Sequence, residues 1–204
     1  MIRISFAAFV LLCLAVPESP ADAAFTFTLS QDGDNVVGSG SGSIDTFELI
    51  VTGPGSCGSG VTGDDATEVS CSSGTDTLWQ GTSGPVSFGS GAFVPASSAT
   101  GDDVGIVGGV AELETPEGYV SGSALSDTLT FDNTTISALG LTPGTYTYTW
   151  GAGADADSYT VDIEAPATAV PEPGSLALLG SALALLASRR RRGRTARGEL
   201  TAMA

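Results

Sequence analysis

The sequence predicts an all-β protein with a single domain of the β-sandwich or jelly-roll-like class. Apolar and polar residues alternate strictly in Phe25–Leu29 and Thr145–Trp150, as they do in half-buried strands. Glycine, proline, serine and aspartate recur between such segments and supply the turns. The periodicity of an amphipathic helix is absent from the middle of the chain. About ten short strands with frequent turns favour two packed sheets.

The predicted strands follow one another between residues 24 and 165. A first hairpin joins Phe25–Leu29 to residues 36–43, and residues 44–52 form the next strand with alternate side chains on one face. Residues 58–73 are expected to be an acidic loop. The remaining extended segments are predicted, in chain order, at Leu78–Gln80, Ser83–Gly91, Asp102–Val107, Val110–Leu113, Tyr119–Ser123, Leu125–Phe131, Thr145–Trp150 and Tyr159–Ile163.

The first 23 residues are predicted to be a secretory signal peptide. Arg3 and the N-terminal amine form a positive start, and Ile4–Val16 is an apolar segment that prolines then end. Ala21 and Ala23 flank an A-x-A site of the kind that signal peptidase cleaves. The segment is too short, and too soon followed by prolines, for a permanent anchor. The protein is therefore expected to be exported.

Two cysteines, Cys57 and Cys71, remain after the signal peptide is removed. In an oxidising compartment two such cysteines are expected to form a disulfide. Closing a loop of about 15 residues stabilises a fold by roughly 3 kcal/mol in the chain-entropy model. Zinc is the less favoured alternative, because two sulfurs without a histidine leave its ligand shell incomplete.

No positively charged side chain lies between residues 25 and 169. All seven basic residues lie outside this range, and so do four of the 23 acidic residues, which leaves 19 acids inside and a formal charge of −19. Such a domain has nothing to neutralise phosphates, so nucleic acid is excluded as a partner. Acidic pairs make Ca²⁺ a candidate ligand, although none fits a full binding-loop consensus and a solvated turn is the simpler interpretation. The pairs are Asp32 with Asp34, Asp64 with Asp65, Asp102 with Asp103, and Asp155 with Asp157. We therefore expect no cofactor.

The same composition argues against an enzyme. Without histidine or lysine, the domain has no serine–histidine pair, Schiff-base lysine or histidine metal site. Carboxylate pairs such as Glu112 with Glu114 suit a glycosidase, but nothing in the sequence selects one pair. Aromatic side chains that sugars stack on are more often the core of such a sandwich. These candidates are Trp79, Tyr119, Tyr146, Tyr148 and Trp150.

The C-terminal end has three consecutive parts. Val170–Pro171–Glu172–Pro173 is stiff and extended, because proline fixes φ and lacks a backbone donor. The 15 apolar and small residues of Gly174–Ser188 span roughly 22 Å as a helix, which is short for a bilayer core of about 30 Å. They lack the polar face of an amphipathic helix. A stop-transfer cluster that should stay cytoplasmic follows, made of Arg189, Arg190, Arg191 and Arg192.

This end resembles the PEP-CTERM sorting signal of Gram-negative bacteria, in which an exosortase recognises the Pro-Glu-Pro motif. The resemblance implies that Val170, Pro171, Glu172 and Pro173 are the sorting motif, and that the following helix anchors the protein only transiently. The product would then reach the cell surface or the medium. The implied segments are a signal peptide (1–23), an exported domain (24–165), a linker (166–169), the sorting signal (170–192) and a cytoplasmic tail (193–204).

The middle of the chain carries a second resemblance, in segments Val36–Ile44, Ser83–Gly89, Gly118–Gly122, Leu139–Tyr146 and Thr149–Gly151. They are similar to a recurring group of small proteins with this sorting signal. The resemblance implies the architecture and the sorting route but no biochemical activity. We expect a structural or adhesive role linked to exopolysaccharide or biofilm. The alternatives are a Ca²⁺-dependent carbohydrate-binding module and, less favoured, a glycosidase.

Overall fold

A computed structural model describes residues 24–56, 58–72 and 74–166 of the chain. These residues form two β-sheets and two short 3-10 helices, Gly108–Val110 and Gly153–Asp155, so the predicted all-β class is confirmed. The strands are β1 (Ala24–Asp32), β2 (Asn35–Ser43), β3 (Ile50–Ser56), β4 (Gly60–Thr62), β5 (Thr67–Ser70), β6 (Thr75–Gln80), β7 (Val94–Pro95), β8 (Ser98–Gly101), β9 (Val104–Val107), β10 (Glu112–Pro116), β11 (Ala124–Phe131), β12 (Gly144–Trp150) and β13 (Asp157–Ile163).

Both predicted targeting segments lie outside the described residues. The signal peptide with Ala21 and Ala23, the cysteine Cys57, and all of residues 167–204 belong to this part of the chain. Within the described ranges, no helix combines the length and the apolar character that a bilayer crossing needs.

A six-stranded sheet has the order β12-β13-β1-β2-β11-β8, and a seven-stranded sheet has the order β3-β6-β10-β9-β5-β4-β7. Their inward side chains form one hydrophobic core. The predicted hairpin of β1 and β2 is confirmed, and β9–β10 and β12–β13 also pair antiparallel. Strand β1 also pairs in parallel with β13, which differs from the antiparallel arrangement of a jelly roll.

Glycines on the inward face of β2 let the phenylalanines of β1 lie across that strand. Phe25 and Phe27 are fully buried. A Cβ atom on Gly38 would lie 2.3 Å from the ring of Phe27, and one on Gly40 would lie 2.6 Å from the ring of Phe25. The alternating Gly and Ser residues of β2 therefore form a strand whose glycine face is filled by aromatic rings of its neighbour.

The outward face of the six-stranded sheet is a grid of hydroxyl groups, called here the hydroxyl face. Neighbouring strands lie about 4.8 Å apart, so residues in register form rows across the sheet. One row contains Thr147, Thr160, Thr26, Ser41 and Ser126. The next row contains Thr145, Asp162, Thr28, Ser39, Thr128 and Thr100. Asp162 is the one acidic residue of these two rows.

The prediction of a strand at residues 44–52 was wrong for the first half of this segment. Leu49 donates a backbone hydrogen bond to the carbonyl of Thr46 at 3.1 Å, which closes a turn, and pairing with β6 begins only at Ile50. Leu49 is buried whereas Phe47 is 74% exposed, so the alternate residues do not share a face. The apolar alternation here arises from a turn that buries one of its side chains.

Three other segments also differ from the prediction. The extended segment expected at Ser83–Gly91 makes only isolated bridges, between Ser83 and Thr149 and between Gly89 and Leu141. The expected acidic loop at residues 58–73 contains the paired strands β4 and β5, and every residue of these strands is buried. Residues 119–123 form a turn, closed by a hydrogen bond from Ser123 N–H to the Val120 carbonyl at 3.0 Å. Short strands buried on both faces lack the alternation that identifies half-buried ones.

The glycine face of β2 generates a stability prediction. Gly38→Ala should destabilise the fold by about 1–3 kcal/mol, because the new methyl group overlaps the ring of Phe27 in a closed core. Ser39→Ala, at the adjacent exposed position of the same strand, should change stability by less than about 0.5 kcal/mol. Urea unfolding of the exported protein measures both. Equal effects would show that the glycine is not required by packing.

Candidate functional site

Three potential metal ligands meet on the outward side of the seven-stranded sheet, at the ends of β5, β6 and β9. The sulfur of Cys71 and carboxylate oxygens of Asp76 and Asp103 lie within 4.8 Å of one another. Asp76 is only 2% exposed, and its two oxygens each lie 3.8 Å from Cys71 Sγ. Burial and then the charge of Asp103 raise the pKa of the Asp76 carboxyl. We call this group the outer cluster.

The predicted disulfide decides what the outer cluster can bind. Cys57 lies outside the described residues, so the Cys57–Cys71 bridge stays a prediction. A bridged Cys71 offers no thiolate, which leaves two carboxylates for a hard cation such as Ca²⁺. The Asp103 carboxylate also accepts hydrogen bonds from Ser72, at 2.7 Å from the backbone nitrogen and 3.3 Å from the hydroxyl.

A second acidic group, called here the interior cluster, lies between the two sheets. Glu68 and Ser70 on β5 point inward, as alternate residues of one strand do, and Asp127 points inward from β11. Glu68 is fully buried and Asp127 is 4% exposed. The hydroxyl of Tyr159 donates a short hydrogen bond to Glu68 Oε2. The interior cluster thus combines two carboxyl groups and two hydroxyl groups in the core.

Both carboxyl groups of the interior cluster are shifted toward the protonated form. Burial, followed by the negative charge of Asp127, raises the pKa of Glu68 well above its usual range, against the hydrogen bond from Tyr159. Burial raises the pKa of Asp127 to about 7. The Ser70 hydroxyl and the backbone N–H groups of Asp127 and Gly40 lie near this carboxyl group and oppose the rise, although none of them reaches it in hydrogen-bonding geometry. A charged carboxylate is therefore disfavoured at each position unless a cation compensates it.

The fold gives different partners to the two members of the predicted pair Asp102 and Asp103. The Asp102 carboxylate accepts a hydrogen bond from Ser126 N–H at 2.7 Å, whereas Asp103 belongs to the outer cluster. Asp157 accepts backbone hydrogen bonds from Asp45 and Ser158. Adjacency in sequence therefore did not identify the clusters. The members of the outer cluster come from three separate segments, so no local spacing could reveal them.

The aromatic residues considered for sugar stacking are tied into the core. Tyr148 and Trp150 are buried, and the other three pack against the core. Four of the five polar atoms are also engaged; for example, Trp150 Nε1 donates to the Asp45 carbonyl at 2.7 Å, and Tyr119 Oη donates to the Ser123 carbonyl at 2.6 Å. The buried Tyr148 hydroxyl has no hydrogen-bond partner among the described residues. The predicted core role is confirmed. Within residues 24–166, exposed aromatic rings are instead those of Phe47 and Phe93, which carried no distinguishing signal in the sequence.

An open cleft of about 400 Å³ lies beside the β1–β2 turn, near the last described residue, Pro166. The side-chain nitrogen of Gln31 hydrogen bonds to the carbonyls of Gly33, Asn35 and Thr134 at 2.9–3.1 Å. The amide of Gln31 is thus used to join the turn to the neighbouring loop. This cleft has no carboxylate pair of the kind found in the two clusters.

The raised pKa of Glu114, which lies on the outward face of β10, predicts how the stability of the protein depends on pH. Burial, and then the charges of Asp76 and Glu112, raise its pKa to about 7 from an ordinary value of 4.5. The fold favours the neutral form, so this stabilisation is complete below about pH 4.5 and is lost as the pH rises through 7. Glu114→Gln, which stays neutral, should therefore stabilise the protein by about 1–3 kcal/mol at pH 8 relative to pH 4.5.

Thermal unfolding of the exported protein across this pH range, in a chelating buffer, tests the assignment. The exposed Glu48→Gln is the matched control, since it removes one negative charge without removing a buried carboxyl group. A Glu114→Gln effect that is the same at pH 4.5 and pH 8 would contradict the raised pKa.

Comparison with protein-family models identifies a PEP-CTERM protein-sorting motif at residues 169–192. The predicted resemblance of the C-terminal end is thereby confirmed, whereas the roles of single residues within it stay predictions. No curated protein and no solved structure matches the chain. The motif indicates export, transit through the membrane toward the cell surface, and processing by an exosortase. The chain is therefore a PEP-CTERM sorting domain-containing protein.

Proposed function

We propose that the exported domain is a structural or adhesive component of the cell surface or extracellular matrix, linked to exopolysaccharide or biofilm. The observation that carries this proposal is the sorting motif at residues 169–192, which follows an acidic all-β domain. The role is non-enzymatic, because residues 25–169 contain no histidine or lysine and their buried acids have no basic partner. Signal peptidase and exosortase process the two ends, and the product is attached or released.

The hydroxyl face supports contact with polysaccharide. Its rows present hydroxyl groups that both donate and accept hydrogen bonds, as the hydroxyls of a sugar do. Only a few of these groups are engaged with each other: Thr147 and Thr160 lie 3.2 Å apart, and Thr145 donates to Asp162 at 3.0 Å. Such a surface favours many weak, additive hydrogen bonds to a hydrated neutral polymer over one deep sugar site.

Mass spectrometry of the protein from the producing cell tests the processing. We expect a product that begins after Ala23 and ends near Pro171–Gly174, without Arg189–Arg192. Its mass should also be lower by two hydrogens if Cys57 and Cys71 are bridged. Recovery of the intact C-terminal arginines from the surface fraction would refute exosortase processing, and a free-thiol mass would refute the disulfide.

Co-sedimentation with the polysaccharide of the producing cell tests the hydroxyl face. The double variant Ser39→Gln/Ser41→Gln places longer side chains on two adjacent rows, and we expect at least about tenfold weaker binding, or about 1.4 kcal/mol. Ser90→Gln, an exposed serine outside this face, is the control and should bind as the unmodified protein does. Equal binding by both variants would exclude the hydroxyl face as the contact surface.

The same assay separates the second candidate, a Ca²⁺-dependent carbohydrate-binding module. This function is favoured by the proximity of Asp76 and Asp103 in the outer cluster. It requires that a chelator abolishes sedimentation and that Asp103→Asn reduces it, whereas contact through the hydroxyl face is insensitive to both. A glycosidase finds less support, since the structure selects no carboxylate pair within a sugar-binding groove of the described residues.

A further inference from the structure

The interior cluster has more buried oxygen atoms than the fold provides partners for. Glu68 Oε1, Ser70 Oγ and both carboxylate oxygens of Asp127 are buried without a hydrogen-bond partner in the described part of the chain. Buried polar atoms are satisfied in nearly all native structures, by protein groups, water or an ion. Four such atoms, contributed by three neighbouring side chains from both sheets, therefore indicate an additional ligand.

The surroundings of these atoms exclude an ordinary ion pair. The row of β5, β9, β10 and β6 that contains Glu68 continues with Ile106, Leu113 and Trp79, all of them apolar or aromatic. Residues 25–169 contain no lysine, arginine or histidine that could approach the carboxylates. Unpaired charges in such an interior cost several kcal/mol each, so they are neutralised by protons or by a metal ion.

We propose that the interior cluster binds one divalent cation, Ca²⁺ by its ligand chemistry, through Asp127, Glu68 Oε1 and Ser70 Oγ. All of these donors are oxygen atoms, which Ca²⁺ prefers, and a carboxylate such as Asp127 can bind it through one or both oxygens. Two carboxylates and one divalent cation are together electrically neutral. The site is separate from the outer cluster, because Glu68 and Asp127 point between the sheets.

Neighbouring groups hold the proposed ligands in place. The Tyr159 hydroxyl fixes Glu68 through Oε2 and leaves Oε1 available, and the Tyr159 ring stacks on Phe25 with centroids 5.0 Å apart. On the other side, Gly40 lies beneath Asp127: a Cβ atom at this position would be 2.0 Å from Asp127 Oδ1. Such supporting contacts orient metal ligands in the same way as those of known metal sites.

Proton binding is the competing explanation. The raised pKa values of Glu68 and Asp127 describe the cluster without metal, in which each carboxyl group favours its neutral form. Protonation supplies one O–H donor on each carboxyl group, whereas a cation between the side chains is bound by oxygen atoms of all three at once. We favour the metal ion because it also neutralises both carboxylates at a pH above their raised pKa values.

Metal analysis and thermal unfolding test the site in the exported protein purified from the producing cell. We expect bound calcium in the isolated protein, and a fall in the unfolding temperature of about 5–10 °C after unfolding and refolding in a chelator, relative to refolding with Ca²⁺ at about 100 times Kd. Asp127→Asn should lose one equivalent of calcium and this temperature shift, because the amide offers only one weak ligand oxygen.

Asp103→Asn in the outer cluster is the matched control and should retain both the interior equivalent and the shift. Glu68→Gln gives a second, independent removal of a ligand. Should neither variant fold, the calcium content and chelator response of Asp103→Asn, in which the outer cluster is impaired, decide the question. Absence of bound calcium together with an unchanged unfolding temperature would overturn the proposal, and so would a shift that persists in both interior variants.

Discussion

Two phenylalanine rings of β1 pack against the inward glycines of β2, and this contact joins the two strands in the core. Phe25 and Phe27 project from β1 over β2, which is possible because Gly38 and Gly40 carry no side chain. Strand β1 also pairs with β13, so the same strand brings the ring of Tyr159 against Phe25. The same packing places Tyr159 against Glu68 and Gly40 against Asp127, next to the interior acids.

This arrangement separates charge from hydroxyl groups. The outward face of the six-stranded sheet is almost uncharged, whereas Asp76, Asp103 and Glu114 lie on the other sheet and Glu68 and Asp127 lie between the two. Because the domain has no basic residue, its acids repel one another and gain nothing from ion pairs. With many acidic and no basic side chains, the domain depends on water, protons and metal ions to compensate its negative charge. The hydroxyl face, which is almost uncharged, is the surface suited to uncharged partners.

Local sequence patterns predicted single strands and the sorting signal, whereas the acidic clusters became visible only in the folded structure. Alternation identified β1, β12 and β13 because each is half-buried, and it failed at residues 44–52 because a turn there buries Leu49 alone. The sorting signal was found because its parts are contiguous. The interior cluster left one trace: Asp127 occupies an inward position of an alternating strand, between Leu125 and Leu129, where an acid is out of place. Glu68, on a short strand buried on both faces, left none.

The sorting motif and the acidic clusters of the folded domain therefore arise from the sequence in different ways. The sorting motif occupies one contiguous segment, residues 169–192, and is identified from the sequence alone. The sandwich, in contrast, assembles its acids from strands far apart in sequence, and metal sites of this kind form only together with the fold. A cation bound between β5 and β11 would link the two sheets through charge as well as packing. Such a link would make the stability of the exported domain depend on the concentration of divalent cations in its surroundings.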